Sequence, residues 1–271
     1  MRLDRELHRV SEQDAPASVD SEDEIPADHP RYTDLVTRYR IEQGIERGIT
    51  HLQGMHAEGR ASAFDYLLGE QTIPSADTAT RVAAAELLRA DHPVVSVNGN
   101  VAALVPAETV ELAETVGAAI EVNLFHRSEE RIQRIVAHLE DHGATEVLGL
   151  EGNARIPGLS HDRARVDREG IYKADVVVVP LEDGDRAQAL RSMDKREIVI
   201  DLNPLSRSPR AAHVPIVDNV VRAIPNLTEH AKDLAGTDDR RLSALIDEFD
   251  PQQVLDQAER AIRDGVDREE T

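Results

Sequence analysis

The stretch ADVVVVPLEDGDRAQALRSMDKREIVIDLNPLSR, residues 174–207, contains the pattern that decides the fold. It begins with four consecutive valines, passes through a polar and alanine-rich segment, and returns to the apolar run EIVIDL at 197–202. A short, continuously apolar run rich in Val and Ile is typical of a strand that is buried on both faces. We therefore predict strands at 175–180 and 197–202, joined by a helix over about 184–193.

The same alternation of strand and helix runs through the chain from Pro93 onward. Strands that alternate with helices and are apolar along their whole length indicate a parallel sheet covered on both faces. The predicted fold class is therefore α/β, with a doubly wound, mostly parallel sheet. The further predicted strands are 94–97, 120–124, 146–150 and 214–218, and the further helices are about 107–117, 128–142 and 219–234.

The residues before Pro93 predict an N-terminal helical segment. Apolar residues recur at helical spacing from residue 32 to about 56, and two more helices are expected at 63–68 and 76–89. We expect three segments in the whole chain. These are an acidic, disordered extension at 1–24, a single α/β domain at 25–235, and a polar C-terminal extension at 236–271 with two short helices (240–249 and 252–264). The two extensions are predicted to lie apart from the chemistry.

The charge balance excludes some partners. The chain has 52 acidic and 31 basic residues, a formal net charge of −21, and only three lysines. An excess of acid with Arg in place of Lys is what a concentrated-salt cytoplasm favours, because salt screens the self-repulsion of the carboxylates. We therefore predict a halophilic protein. We expect no nucleic-acid partner, since the phosphate backbone would be repelled.

Composition also limits the chemistry. The chain has no cysteine, which excludes disulfides, thiolate catalysis and Cys-ligated zinc. The first residues, MRLDRELHRV, have no apolar signal core, and no apolar run approaches the length needed to cross a membrane. The expectation is a cytoplasmic protein without a membrane partner.

Polar side chains follow five of the predicted strands. In an open parallel sheet, ligands bind beyond the carboxyl ends of the strands. Arginine there can clamp phosphoryl oxygens, asparagine can donate to them, and acids can hold magnesium. These residues predict a site for a phosphate-bearing ligand with a metal ion. The strand-end residues are Asn98, Asn100, His126, Arg127, Asp183, Asp185, Asn203, Arg207 and Asn219.

Each of these signals has a structural alternative. Asn98 and Gly99 could form a tight turn, and Asn219 could be only a helix N-cap. Asp183 and Asp185 could be a cap and a solvated acid, and Arg207 could form a surface ion pair. No G-x-x-x-x-G-K-[ST], G-x-G-x-x-G, G-x-S-x-G or H-E-x-x-H motif is present. The residues alone therefore predict a phosphate-compatible α/β protein and no particular reaction.

Eight longer runs follow one another as an ordered set of motifs. The runs are IPADHPRY (25–32), GRASAFDYLLGE (59–70), HPVVSVNGNVAALVP (92–106), EVNLFHRSEER (121–131), ARIPGL (154–159), ADVVVVPLEDGDR (174–186), IDLNPLSRSPR (200–210) and IVDNVVRAIPN (216–226). With these runs in order, the chain closely resembles the archaeal phosphopantothenate synthetase family, also called 4-phosphopantoate–β-alanine ligase, over about residues 25–234. The motifs end there, so residues 1–24 and those after about 236 are expected to be additions to the family pattern.

The resemblance implies a homodimeric, ATP-dependent ligase of coenzyme A biosynthesis with a Rossmann-like core. The implied reaction joins 4-phosphopantoate to β-alanine through an acyl-adenylate and releases AMP and pyrophosphate. Matching the motifs, and the family's arginine of the first helix, residue by residue gives the implied ATP-binding set. It comprises Arg38, Arg60, Asp201, Leu202, Asn203, Arg207, Ser208, Asn219 and Val220.

The remaining site residues are hypotheses. Because segment 202–217 carries no acid in so acidic a chain, we expect it to cradle ATP without repelling it. Magnesium is expected at Asp183 and Asp185. Two other classes stay open, a kinase on the same scaffold and a non-catalytic nucleotide-binding regulator. For the substrate we expect Arg31 and Arg127 at its phosphate, with His29 and His126 as lesser candidates, and Asn98, Asn100 and Asn123 at its hydroxyl or carboxylate.

Overall fold

The computed structural model describes residues 21–181 and 184–265, and a sheet of parallel strands lies at its centre. The strands of this sheet are β1 (Pro93–Val97), β2 (Ala119–Val122), β3 (Val147–Leu148), β6 (Val176–Pro180), β7 (Arg196–Asp201) and β8 (Val214–Val217). A separate antiparallel pair is formed by β4 (Ala154–Arg155) and β5 (Arg165–Val166).

Helices precede the sheet, connect its strands and follow it. Three of them, α1 (Tyr32–Glu46), α2 (Leu52–Leu68) and α3 (Pro74–Arg89), come before β1. The others within the described ranges are α4 (Gly99–Leu104), α5 (Pro106–Val116), α6 (Glu129–Asp141), α7 (Gly184–Arg191), α8 (Arg207–Ala211), α9 (Val220–Leu234), α10 (Asp239–Asp247) and α11 (Pro251–Asp264).

The strand order confirms the predicted fold class. The order β3-β2-β1-β6-β7-β8 is that of a doubly wound, Rossmann-like sheet, whose connections diverge from the centre. One face packs on α3, α5, α6 and α9, in a core that contains Val95, Ile198 and Ile224. The other face packs on α7 and on the irregular segment 149–172, around Val94 and Val177. The connections diverge between β1 and β6, so the crevice for a ligand is expected beyond these two strands.

Most predicted elements are confirmed, and the main difference lies before the sheet. The helix predicted over 32–56 is two helices, and the one predicted at 63–68 is the end of α2. The break has a backbone cause. Gly48 takes a left-handed φ of +68°, and the N–H groups of Ile49 and Thr50 both donate to the carbonyl of Gly44. The side chain of His51 then caps α2.

The C-terminal helices belong to the core. Leu255 and Ala258 of α11 pack with Phe64, Leu68 and Val217 in one buried cluster. The segment predicted as a polar C-terminal extension thus packs on the α/β domain through α11. None of the helices within the described ranges is both long and apolar enough to cross a bilayer.

The N-terminal extension is described only at its end. Residues 1–20, predicted to be disordered, lie outside the described residues. Glu22–Glu24 form a single 3₁₀ turn. The carboxylate of Glu22 pairs with the guanidinium of Arg40 on α1, with 2.8 Å between Oε1 and Nη2.

A buried carboxylate holds the irregular segment 149–172 against the sheet. Glu121 of β2 is fully buried, and its two oxygens accept hydrogen bonds from the backbone N–H groups of Asp167 (3.0 Å) and Ile171 (2.6 Å). Asp167 in turn accepts from the N–H groups of Gly149 and Gly152. Burial raises the pKa of Glu121 to about 7, and the Asp167 charge adds to this, while the two N–H donors and a nearby arginine oppose it.

We predict that Glu121 makes folding stability fall as pH rises from about 4.5 to about 7. In this window the folded chain binds a proton at Glu121 that the unfolded chain has lost, so deprotonation favours unfolding. Across this window the free energy of unfolding of the wild type should fall by up to roughly 3 kcal/mol relative to that of Glu121→Gln. Urea unfolding at fixed salt measures this difference. Glu114→Gln, at an exposed position of α5, is the control. If the difference in free energy of unfolding between the wild type and Glu121→Gln does not change with pH, as expected for Glu114→Gln, the prediction is contradicted.

Candidate active site

Two adjoining clefts open at the carboxyl ends of the strands. The first, which we call the β7 cleft, has a volume of about 700 Å³ and lies between α2, the end of β7 and α8. The second, the β1 cleft, has a volume of about 450 Å³ and lies between α2, the end of β1 and residues 124–131. Both volumes are in the range of small-molecule sites. Ala57, Arg60 and Leu181 line both clefts, so the two spaces meet at these residues.

The loop after β7 forms the polar wall of the β7 cleft. Asp201 shapes it by accepting from the N–H of Asn203 (3.2 Å) and the hydroxyl of Ser206 (2.7 Å), and Asn203 accepts from the N–H of Leu205 (3.0 Å). Burial raises the pKa of Asp201, although these donors and the charge of Arg60 oppose the shift. Asp201, Leu202, Asn203, Arg207 and Ser208, all expected to bind ATP, thus line one cleft together with Arg60.

Arg207 begins α8 at the mouth of the β7 cleft and is mostly exposed. Its Nη1 pairs with Oδ1 of Asp185 at 2.7 Å, so the surface ion pair considered as an alternative is present. Gly184 permits this approach, because a Cβ there would lie 2.6 Å from the Cβ of Arg207. An exposed pair of this kind contributes at most about 1 kcal/mol, and a phosphate could therefore replace Asp185.

An apolar wall faces the polar loop of the β7 cleft. It consists of Phe64 and Leu67 of α2 and Ile262 of α11. None of these residues was expected at the site. The apolar periodicity of 252–264 predicted the helix but could not show which surface the helix would cover.

The β1 cleft is rich in positive charge. Arg60, Arg131 and Arg163 line it, and the described residues that line it include no acid. Neither Arg131 nor Arg163 was expected at the site, because neither directly follows a strand of the main sheet. The other polar residues of this lining are Thr50, His51, Gln53, Asn98, Asn100 and His126.

Asn98 and Asn100 form the floor of the β1 cleft. The amide of Asn98 donates to the carbonyl of Pro180 (3.0 Å), and its oxygen caps α4. The oxygen of Asn100 accepts from the hydroxyl of Thr50 (2.5 Å), and its amide donates to the carbonyl of Gly54 (2.9 Å). Asn98 is therefore a helix cap and not part of a two-residue turn. Both amides are already bonded within the protein.

Of the three predicted site residues that follow β2 (Asn123, His126 and Arg127), only His126 lines the β1 cleft. Asn123 is buried, and its amide donates to the carbonyls of Arg165 (3.0 Å) and Arg163 (3.3 Å), which fixes the position of this segment. The guanidinium of Arg127 donates to the carbonyls of Gly149 and Leu150 and lies outside both linings.

The predicted residues in and just before α1 lie outside both clefts. Arg31 and Arg38 both pair with Asp34, and the Arg38 Nη2 lies 2.9 Å from the Asp34 Oδ2. Arg38 lines a separate groove with Glu58 and Gly59. His29 accepts a hydrogen bond from the N–H of Arg31 (3.0 Å). None of these three predicted residues lines either cleft, and their roles stay predictions.

Asn219 and Val220 are buried behind the clefts. The oxygen of Asn219 caps α9, and its amide donates to Asp65 at 3.0 Å. Arg222 bonds both Asp65 and Asp218, which completes a polar link between α2 and α9. The capping role considered as an alternative for Asn219 is present, and its expected contact with ATP stays a prediction.

The predicted metal ligands are described in part. Asp183 lies outside the described residues, and Asp185 forms the ion pair with Arg207. In the described ranges, no cluster of three or more Asp, Glu, His or Cys side chains has the arrangement of a metal site.

Known proteins closely resemble this chain. The sequence pattern of the phosphopantothenate/pantothenate synthetase family matches residues 75–265, so the family pattern does not end near residue 236 as the motif runs suggest. A protein of Thermococcus onnurineus is 52% identical over 243 residues, covering 89% of this chain and 93% of the relative. One of Thermococcus kodakarensis is 50% identical over 245 residues (90% and 94%), and one of Methanosarcina mazei is 49% identical over 235 residues (87% and 92%).

All three relatives are named 4-phosphopantoate–β-alanine ligase. The match extends over the sheet from β1 to β8, over the loop of the β7 cleft, and over α11 with its contribution to the cleft wall. Identity near one half over most of both chains decides the family. The chain belongs to the phosphopantothenate/pantothenate synthetase family.

Proposed function

We propose that this chain is an ATP-dependent 4-phosphopantoate–β-alanine ligase of coenzyme A biosynthesis, acting in the cytoplasm. The names of its relatives support the reaction. The observation that carries the proposal is the junction of two clefts at Arg60, beyond the strands where a doubly wound sheet binds ligands. A ligase must bring two anionic substrates into contact, and adjoining clefts with a shared arginine do this.

In this proposal the β7 cleft holds ATP and the β1 cleft holds the acid. A carboxylate is a poor electrophile, so it first attacks the α-phosphorus of ATP and expels pyrophosphate. The neutral amine of β-alanine then attacks the acyl carbon, and AMP leaves. Arg60 at the junction stabilises the negative charge on the α-phosphate during the first step. No side-chain nucleophile is needed, and positioning and charge neutralisation supply the catalysis.

The loop after β7 supports the nucleotide assignment. Asp201 and Asn203 fix its shape, and Arg207 stands at the mouth of the cleft. Arg207 can exchange its exposed partner Asp185 for a phosphate oxygen. The apolar wall with Ile262 offers a surface for the base.

We include magnesium in the proposal as the partner of ATP. Mg²⁺ is commonly held by one or two carboxylates together with substrate phosphates, and it neutralises phosphate charge. Asp201 faces the β7 cleft and fits such a role, and Asp185 would become available once Arg207 turns to phosphate. These two carboxylates would hold the ion beside the phosphates.

The reaction predicts AMP as the nucleotide product. Purified protein with ATP, magnesium, 4-phosphopantoate and β-alanine should release AMP and pyrophosphate, and omission of either organic substrate should stop AMP release. Chromatography of the nucleotides at a fixed high salt concentration measures this. ADP as the nucleotide product would favour a kinase on this scaffold, and ATP binding without turnover would favour a regulator.

Replacement of Arg207 by Ala should weaken ATP binding and slow adenylate formation without unfolding the chain. Losing one charge-assisted contact to phosphate costs roughly 1.5–3 kcal/mol, or about ten- to a hundredfold in affinity. Arg207→Lys should restore part of this, since an ammonium cannot reproduce the planar guanidinium. The Kd for ATP by calorimetry is the measurement.

Arg210 is the matched control for Arg207. It lies in the same short helix, is exposed, and does not line the β7 cleft. Arg210→Ala should therefore bind ATP like the parent. If Arg207→Ala binds ATP with the wild-type Kd and Arg210→Ala binds it more weakly, the assignment of Arg207 to the nucleotide is wrong.

We also propose that the active form is a homodimer joined through α2. An exposed stripe of apolar and small side chains runs along this helix: Leu52, Met55, Gly59, Ala63 and Tyr66. The spacing of three or four residues puts them on one helical face. An exposed apolar face on so acidic a chain suits a second copy, since burial of the face removes it from water.

The dimer gives Arg38 a way to act on ATP. Its groove includes Met55 and Gly59 of the stripe, so a second copy packed there would face Arg38. We propose that Arg38 completes the β7 cleft of its partner. Mixed dimers of Arg38→Ala and Arg207→Ala should recover up to about a quarter of wild-type turnover, since half of the dimers carry one intact site. Homodimers of either variant alone should be far less active. If the mixed dimers recover no activity, Arg38 acts in the site of its own subunit.

A further inference from the structure

The guanidinium of Arg131 points into the β1 cleft without an acidic partner among the described residues. Its Nε donates to the carbonyl of Ile49 at 3.0 Å, which fixes the side chain, and it forms no ion pair with the described carboxylates. Burial alone lowers its pKa. On the same helix, Arg134 pairs with Glu130. A half-buried cation without a counter-ion is costly, and an anionic ligand would offset that cost.

The backbone is shaped to accept this arginine. A Cβ on Gly99 would lie 2.5 Å from the Nη2 of Arg131 and 2.6 Å from the carbonyl of Ile49. The guanidinium therefore lies against a position where only glycine leaves room. Asn98 and Asn100 on either side are already bonded within the protein. Beyond its bond to Ile49, Arg131 has further N–H donors that a ligand can use at this end of the cleft.

The charges around Arg131 favour a doubly charged group. Arg60 and Arg163 share the lining with it, and the described lining residues include no carboxylate. The β7 cleft differs, because Asp201 lines it. Low-dielectric walls around charges of one sign raise the local concentration of the opposite ion. A phosphate monoester dianion is thus favoured in the β1 cleft over the β7 cleft.

We propose that Arg131 binds the phosphate of the acid substrate and gives the enzyme its preference for the phosphorylated acid. This inference rests on the proposed function. The phosphate lies at the Arg131 end of the β1 cleft. The carboxylate at the other end of the molecule reaches Arg60, where the clefts meet and ATP presents its α-phosphate.

This proposal replaces the arginines expected from the sequence for that phosphate. Arg127 donates to the carbonyls of Gly149 and Leu150, and Arg31 pairs with Asp34 outside both clefts. Either would have to break these bonds to reach the cleft. Arg131 needs no such rearrangement, because it already lines the cleft.

Titration calorimetry with 4-phosphopantoate and with pantoate tests the proposal without turnover. The wild type should bind the phosphorylated acid tightly and pantoate weakly. Arg131→Ala should weaken binding of 4-phosphopantoate by about ten- to a hundredfold and leave binding of pantoate and ATP within about twofold. Arg131→Lys should recover part of the loss. In the ligase assay the same change should appear as a raised KM for 4-phosphopantoate.

Two controls separate binding from folding. Arg134→Ala, one turn further along α6, removes an exposed arginine outside the cleft and should match the wild type. Arg131→Gln keeps an amide donor for the carbonyl of Ile49 and removes the charge. It should fold even where the alanine variant does not, and it should lose the phosphorylated acid to a similar extent.

The outcomes distinguish this inference from the proposed function. Parent-like affinity for 4-phosphopantoate in folded Arg131→Ala or Arg131→Gln would overturn the inference, whether or not the wild type releases AMP. A loss of affinity for ATP alone would also overturn it and would assign Arg131 to the nucleotide. A wild type that binds 4-phosphopantoate through Arg131 but releases no AMP would leave this inference standing and refute the ligase.

Discussion

The hydrogen bond from the amide of Asn98 to the carbonyl of Pro180 ties the ends of β1 and β6 together, and the site depends on it. These are the two strands between which the chain connections diverge. Divergence leaves a crevice, because no crossover covers the sheet at that point. The same Asn98 side chain also caps α4. The β1 cleft opens on one side of this hydrogen-bonded position and the β7 cleft on the other.

Charge is the second constraint. A chain with a net charge of −21 must keep its own carboxylates away from the positions where anionic substrates bind. The β1 cleft meets this requirement, since its described lining holds three arginines and no acid. The β7 cleft meets it differently. Its loop has no acid beyond Asp201, and Asp185 from α7 neutralises Arg207 through an exposed pair that is easily exchanged.

Helix α2 connects the site to the rest of the molecule. One side carries Arg60 and the apolar wall of the β7 cleft, where α11 packs against it through Leu255 and Ala258. The adjoining face carries the exposed stripe, whose Gly59 lies beside Arg38 and whose Ala63 also lines the β7 cleft. A partner bound to the stripe would therefore act on the same rigid helix that positions Arg60. Substrate binding and dimer formation would then be coupled through one element.

The sequence by itself determined the strands, most helices and the strand ends at which ligands gather, because apolar periodicity and caps act over a few residues. It also indicated that the residues of the loop after β7 act together, because they are contiguous in the chain. Only the tertiary structure decided which arginines line which cleft. Arg127 follows a strand, yet distant carbonyls engage it, while Arg131 lies within a helix and reaches the cleft over Gly99. A side chain's availability depends on all its competing partners, and folding brings those partners together from distant parts of the chain.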